Sequence, residues 1–198
     1  MSHPLRCRCG TLQGAVLPSS AATRAICYCN DCQAYARFLG GNVVDPSGGT
    51  EVLATSPRYV RFRQGLESLA CLSLSPRGLL RWYAQCCRTP IGNTPRNPGI
   101  AYVGLVHVCL GDEPARQAGF GPVRMAVNTK SAHGPVASRP LGSRALAAFN
   151  LVRSLAGARL PGGGGPSPFF EDGSRTPVRI PYVLSAAERA QAYRGDAG

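Results

Sequence analysis

The chain has 198 residues, enough for one domain with a sizeable core, or for a domain of about 110 residues carrying an extension. Its formal net charge of +12 comes from 21 Arg and a single Lys, Lys130, spread without the dense basic cluster that would argue for nucleic acid. No apolar run approaches the length of a membrane span, and "MSHPLRCRCG" lacks the apolar stretch of a secretory signal, so no membrane partner and a cytoplasmic location are expected.

In chain order, residues 5 to 110 read as short strands broken by Gly and Pro, with few plausible helices. "TLQGAVL" and "NVVDPSGGTEVL" carry β-branched and turn residues, and "YVRFRQG" alternates aromatic with basic side chains at the period of a half-buried strand. "ESLACLSLSPRGLLRWYAQ" predicts a hairpin around Ser75-Pro76-Arg77-Gly78. "GIAYVGLVHVCL" has the composition of a buried strand. The fold class expected is therefore mainly β. Beyond residue 110 the character changes, and residues 111 to 198 read as an extension. "GDEPARQAGFGP" reads as a linker or crossover, and Leu141, Ala145, Ala148, Phe149, Val152, Leu155 and Ala156 predict a helix over about 140–157 by their spacing. Ser185 and Glu188 form a capping-box pattern for a short terminal helix.

Nine cysteines in a reducing compartment point to metal ligation or redox chemistry more than to disulfides. Three groups stand out: Cys7 and Cys9 in "CRCGT", Cys27, Cys29 and Cys32 in "CYCNDC", and Cys86 and Cys87 in "QCCRTPIG". Short Cys spacings suit chelation because a tight turn can aim two sulfurs at one point, and Zn²⁺ takes four such ligands tetrahedrally. Cys71 and Cys109, isolated in apolar runs, read instead as small core residues. The histidines add little: His3 lies in a terminus expected to fray, His107 in an apolar strand and His133 in a Gly/Pro-flanked loop.

The segments "CRCGTLQGAV", "CYCNDCQAYARFLGG" and "RWYAQCCRTPIGN" resemble, in order and spacing, the signature segments of the glutathione-dependent formaldehyde-activating enzyme and centromere protein V family. The resemblance covers roughly residues 5 to 110, expected to form a zinc-binding domain. It implies a β-tent of antiparallel sheets holding two Zn²⁺. Cys7 and Cys9 would join a late Cys pair around a structural zinc, and Cys27, Cys29 and Cys32 would hold a second zinc with an open position. The activity implied is carbon–sulfur lyase-like chemistry on an adduct such as S-hydroxymethylglutathione, with a small thiol such as glutathione as partner.

The late segment departs from the family's C-x-x-C-G, because Ala84 and Arg88 stand where a Cys and the Gly are expected. Cys87 aligns with a ligand, and Cys86 is additional. Neighbouring residues of an extended chain point to opposite sides, so both can share one ion only if the backbone turns sharply. Three arrangements stay open: a distorted four-thiolate site using both, a three-thiolate site completed by His107, Cys109 or water, or a structural zinc that is weakened or lost.

Three thiolates on one Zn²⁺ leave a net charge of −1, better suited to activating a further thiol than to making hydroxide. Arg37, Arg81 and Arg88 are nominated by proximity as carboxylate anchors for substrate, against the plainer reading of solvated surface arginines. Asp31, inside the C-x-x-C turn, is expected to bond backbone NH groups. The competing functional reading is a non-catalytic, zinc-stabilised binding module whose basic surface meets an acidic partner. The predicted helix near residue 150 could pack on the sheet, roof a pocket or make a homodimer contact.

Overall fold

The computed structural model describes residues 2–41, 43–137 and 166–194. In chain order its strands are β1 (His3–Arg6), β2 (Gln13–Val16), β3 (Thr23–Cys27), β4 (Thr50–Thr55), β5 (Val60–Gln64), β6 (Leu69–Ser73), β7 (Leu80–Ala84), β8 (Thr89–Thr94), β9 (Val103–Val106), β10 (Val123–Val127) and β11 (Tyr182–Val183). The helices are α1 (Asn30–Phe38), α2 (Glu113–Phe120) and α3 (Ala186–Tyr193). The fold is mainly β, as expected, with a C-terminal helix. The predicted helix at 140–157 lies outside the described residues.

β1, β2 and β5 form a three-stranded antiparallel sheet. The second sheet has eight strands in the order β10-β3-β4-β9-β8-β7-β6-β11. Its six inner strands pair antiparallel, and the extension adds β10 and β11 to its two edges as parallel strands. The predicted β6–β7 hairpin forms, closed by Gly78 N–H to Ser75 O at 3.0 Å. Trp82 and Leu80 bury against Leu5, Leu12, Leu53 and Ile91 in the main core. Cys71 and Cys109 are also buried in that core, which agrees with their reading as packing residues.

The extension enters the same core. The Phe169 ring lies 5.1 Å from Trp82 and 5.7 Å from Phe62, and is fully buried. Arg179 Nε donates to Leu69 O at 3.0 Å, tying the approach to β11 onto β6. The predicted capping box is present: Ser185 Oγ accepts from Glu188 N–H, and Glu188 Oε2 accepts from Ser185 N–H at 2.8 Å.

Two readings need correction. "GDEPARQAGFGP" is not a linker: residues 113–120 form α2, with Asp112 Oδ1 accepting from Ala115 N–H at 3.0 Å and Pro114 in the first turn. Two glycines obscured the helix in the sequence, and buried arginines hold it to the sheet. Arg24, 1% exposed, donates to Glu51 at 2.8 Å and to Glu113 at 2.5 Å, and Arg116 bonds the same two carboxylates. His3 does not fray either, since its Nε2 lies 2.7 Å from Leu110 O and its ring packs 4.5 Å from Phe120.

Candidate metal centres

Cys7, Cys9, Cys86 and Cys87 come together, their sulfurs all within 4.8 Å of one another. Cys7 ends the run from β1, and its Sγ lies 3.5 Å from that of Cys9 and 3.8 Å from that of Cys86. Cys9 and Cys86 sulfurs are 3.3 Å apart, and Cys86 and Cys87 sulfurs 3.8 Å. A tetrahedron of thiolates at the Zn–S bond length has an edge of about 3.8 Å, so the donor set fits one zinc. The turn demanded between the adjacent cysteines exists: residues 85–88 bend back, with Arg88 in the left-handed region at φ 54°. Neither His107 nor Cys109 belongs to this cluster. His107 Nδ1 lies 3.2 Å from Glu51 O, and Cys109 Sγ points to Val106 O.

The second cluster joins the end of β3 to the start of α1. Cys29 is the helix cap, its Sγ accepting from Cys32 N–H at 3.3 Å. Cys27 Sγ lies 3.4 Å from Cys29 Sγ and 3.7 Å from Cys32 Sγ. Hydrogen bonds from Cys29 and then Cys32 hold the Cys27 thiol far below its ordinary value, while the same sharing pushes Cys29 and Cys32 up. The three sulfurs therefore share protons with one another, and a divalent cation would replace those protons. Asn128 Nδ2 also points at Cys27 Sγ, at 3.4 Å.

This three-cysteine cluster opens on a cavity of about 360 Å³. Alternation puts Thr23, Ala25 and Cys27 of β3 on the cavity face, beside Val52 and Ala54 of β4 and Met125 and Val127 of β10. Across from them stand Leu79, Arg81, Asn93 and Tyr102. Gly104, which pairs with Ala54 in β9, leaves room for Tyr102: a Cβ there would meet the Tyr102 hydroxyl at 2.8 Å. Burial pushes the Tyr102 phenol up to about 12, so it is a neutral donor.

Of the three arginines nominated from sequence, Arg81 lines the cavity, buried to 1% exposure. Its Nη1 donates to Asn93 Oδ1 at 3.1 Å, and its Nη2 is 3.5 Å from Asp31 Oδ2. Arg37 lies outside the cavity, donating to Ala192 O at 2.8 Å and to Gln33. Arg88 also lies outside it, bonding the carbonyls of Phe38 and Leu39. Asp31 Oδ1 accepts from the Tyr193 hydroxyl of α3 at 2.5 Å, so its expected backbone role gives way to side-chain partners.

Sequence reasoning missed Thr23, Tyr102, Met125 and Asn128. One signal was legible: Asn128 adopts φ 56°, a conformation in which Asn is enriched, at the end of a five-residue stretch with strand composition.

Residues 1–179 match the profile of a family of unknown function, DUF6151. No curated protein matches the chain. Among solved structures, it is similar to the crystal structure of a Rhodobacter sphaeroides protein at 20% identity and a TM-score of 0.44, covering 63% of this chain and 99% of that one.

Proposed function

Since the chain belongs to the DUF6151 family, which carries no assigned activity, its chemistry has to come from its own site, and we propose a zinc-dependent carbon–sulfur lyase-like enzyme acting on a thiol–aldehyde adduct. The observation that carries this reading is the convergence of Cys27, Cys29 and Cys32 sulfurs at the end of a cavity. The resemblance of the three cysteine segments to the glutathione-dependent formaldehyde-activating family supports it as well.

A zinc ion held by the three thiolates would supply an open position that favours the thiolate form of a further sulfur. The chain's own residues do the rest. Asn128 Nδ2 directs its N–H to Cys27 Sγ and steadies that ligand's charge. The thiol sulfur attacks the aldehyde carbon, the C–S bond forms as the C=O π pair moves onto oxygen, and the thiol proton ends on that oxygen. The lyase direction is the reverse. Tyr102, a neutral phenol on the cavity wall, is placed to donate to the oxygen as charge builds on it.

The test is zinc per chain by elemental mass spectrometry, together with NMR-detected cleavage of a thiol–formaldehyde adduct, for wild type and a Cys27→Ser, Cys29→Ser double variant. We expect two zincs falling to one, with loss of cleavage. An unchanged zinc count in the variant would remove the centre of this reading and favour the binding module.

A further inference from the structure

Resting on the three-cysteine zinc centre of that reading, we infer that Arg81 is a positioning residue of the centre: its buried guanidinium is the counter-charge of the loaded thiolates, rather than an anchor for a substrate carboxylate. Arg81 stands on β7 directly opposite Asn93 of β8, and its side chain reaches the first turn of α1. There its Cζ lies 5.2 Å over the Tyr35 ring, and its Nη2 lies 3.5 Å from Asp31 Oδ2. Asp31 and Tyr35 are one turn apart and share a face of the helix, which puts the guanidinium beside the turn that carries Cys32. Arg81 and the three cysteines line the same cavity.

Arg24 shows what a fully buried arginine otherwise receives in this fold. It is 1% exposed, as Arg81 is, and has carboxylate oxygens at 2.8 and 2.5 Å. Arg81 has a neutral amide at 3.1 Å, a ring face, and one half-exposed carboxylate at 3.5 Å. The other oxygen of that carboxylate accepts from the Tyr193 hydroxyl. A guanidinium taken out of water and paired so weakly is costly. Its burial also leaves almost no surface for a substrate to touch.

The centre has the opposite deficit. Three thiolates around a divalent cation carry a net charge of −1. Among the described residues lining the cavity, Arg81 is the one cation, and the carboxylate of Asp31 adds to the negative side. Each charge therefore lacks what the other supplies, and the low dielectric of the interior strengthens their attraction. The coupling is reciprocal: metal loading offsets the cost of burying Arg81, and Arg81 tightens the metal by the same factor.

The experiment uses the full-length protein and reads Co²⁺ affinity at the three-cysteine site by chelator competition, from the absorbance bands that the Cys27→Ser, Cys29→Ser variant lacks. Arg81→Met and Arg81→Gln remove the charge, and Arg81→Lys keeps it. We expect both neutral variants to bind Co²⁺ about tenfold or more weakly than wild type, and Arg81→Lys to keep most of the affinity. Urea midpoints separate this role from simple packing. Arg81→Met should lower the midpoint of the Co²⁺-loaded protein, yet leave it unchanged or raised in the Cys27→Ser, Cys29→Ser background, where the cation has no thiolate centre to balance. Unchanged Co²⁺ affinity in the neutral variants, or an equal fall of the midpoint in both backgrounds, would overturn this inference while leaving the metal centre standing. If wild type shows no bands beyond those of the double cysteine variant, the zinc centre fails and this inference fails with it.

Discussion

Thr23 and Asn128 both belong to the cavity lining, and their local chemistry differs. Thr23 buries a hydroxyl with no partner among the described residues, and replacing it by Val removes the unmet polar group at nearly constant volume. Thr23→Val should therefore raise stability by about 1 kcal/mol in urea unfolding. Asn128 holds a left-handed backbone and bonds Cys27. Asn128→Gly keeps the conformation and removes the bond, so it should leave the melting temperature near wild type and weaken metal affinity at the three-cysteine site about tenfold or more in chelator competition. Loss of stability without loss of metal affinity would assign Asn128 to the turn alone.

Among elements, α2 shows how charge can place a helix. Burial pushes the Glu51 carboxyl up, but the hydrogen bond and charge of Arg24, with the charge of Arg116, outweigh it and hold the group below its usual range. A carboxylate depressed in the folded state adds stability that is fully present above its unfolded value of 4.5 and is lost as pH falls through the lower folded value. Denaturant midpoints should accordingly fall from just below pH 5 downward, and this contribution should disappear in Glu51→Gln. That variant leaves Arg24 with one carboxylate, the exposed Glu113, besides its neutral partners Gln117 and Gly121 O, and should cost about 3–5 kcal/mol at neutral pH. None of this was legible beforehand, because Arg24, Glu51, Glu113 and Arg116 look in sequence like ordinary surface charges. The strands were more readable: alternation exposed β5, and the turn residues Ser75 to Gly78 exposed the β6–β7 hairpin. Alternation could not reveal β3 and β8, which are buried along nearly their whole length and so carry no solvent-facing period. The cysteine clusters were legible because short spacing brings ligands together locally. The rest of the cavity was not, since it is assembled from β3, β4, β7, β8 and β10 across a hundred residues of chain.

At the scale of the whole molecule, the segment after residue 110 acts as part of the core and of the site. Phe169 fills the space between Trp82 and Phe62, so Phe169→Ala should cost about 3–5 kcal/mol by thermal or urea unfolding. β10 walls the cavity, and Tyr193 of α3 reaches Asp31 in the cysteine turn. A chain ended at residue 110 should fail to give a cooperative unfolding transition, even with both cysteine clusters retained and zinc supplied. The buried ion network has a consequence for how such sequences can change over time. Arg24, Glu51, Glu113 and Arg116 balance two positive against two negative charges inside one interface, so no single replacement is tolerated easily. Across diverging relatives these four positions should covary, an arginine being lost together with a glutamate, and that paired drift would mark α2 docking in sequences whose structures have never been determined.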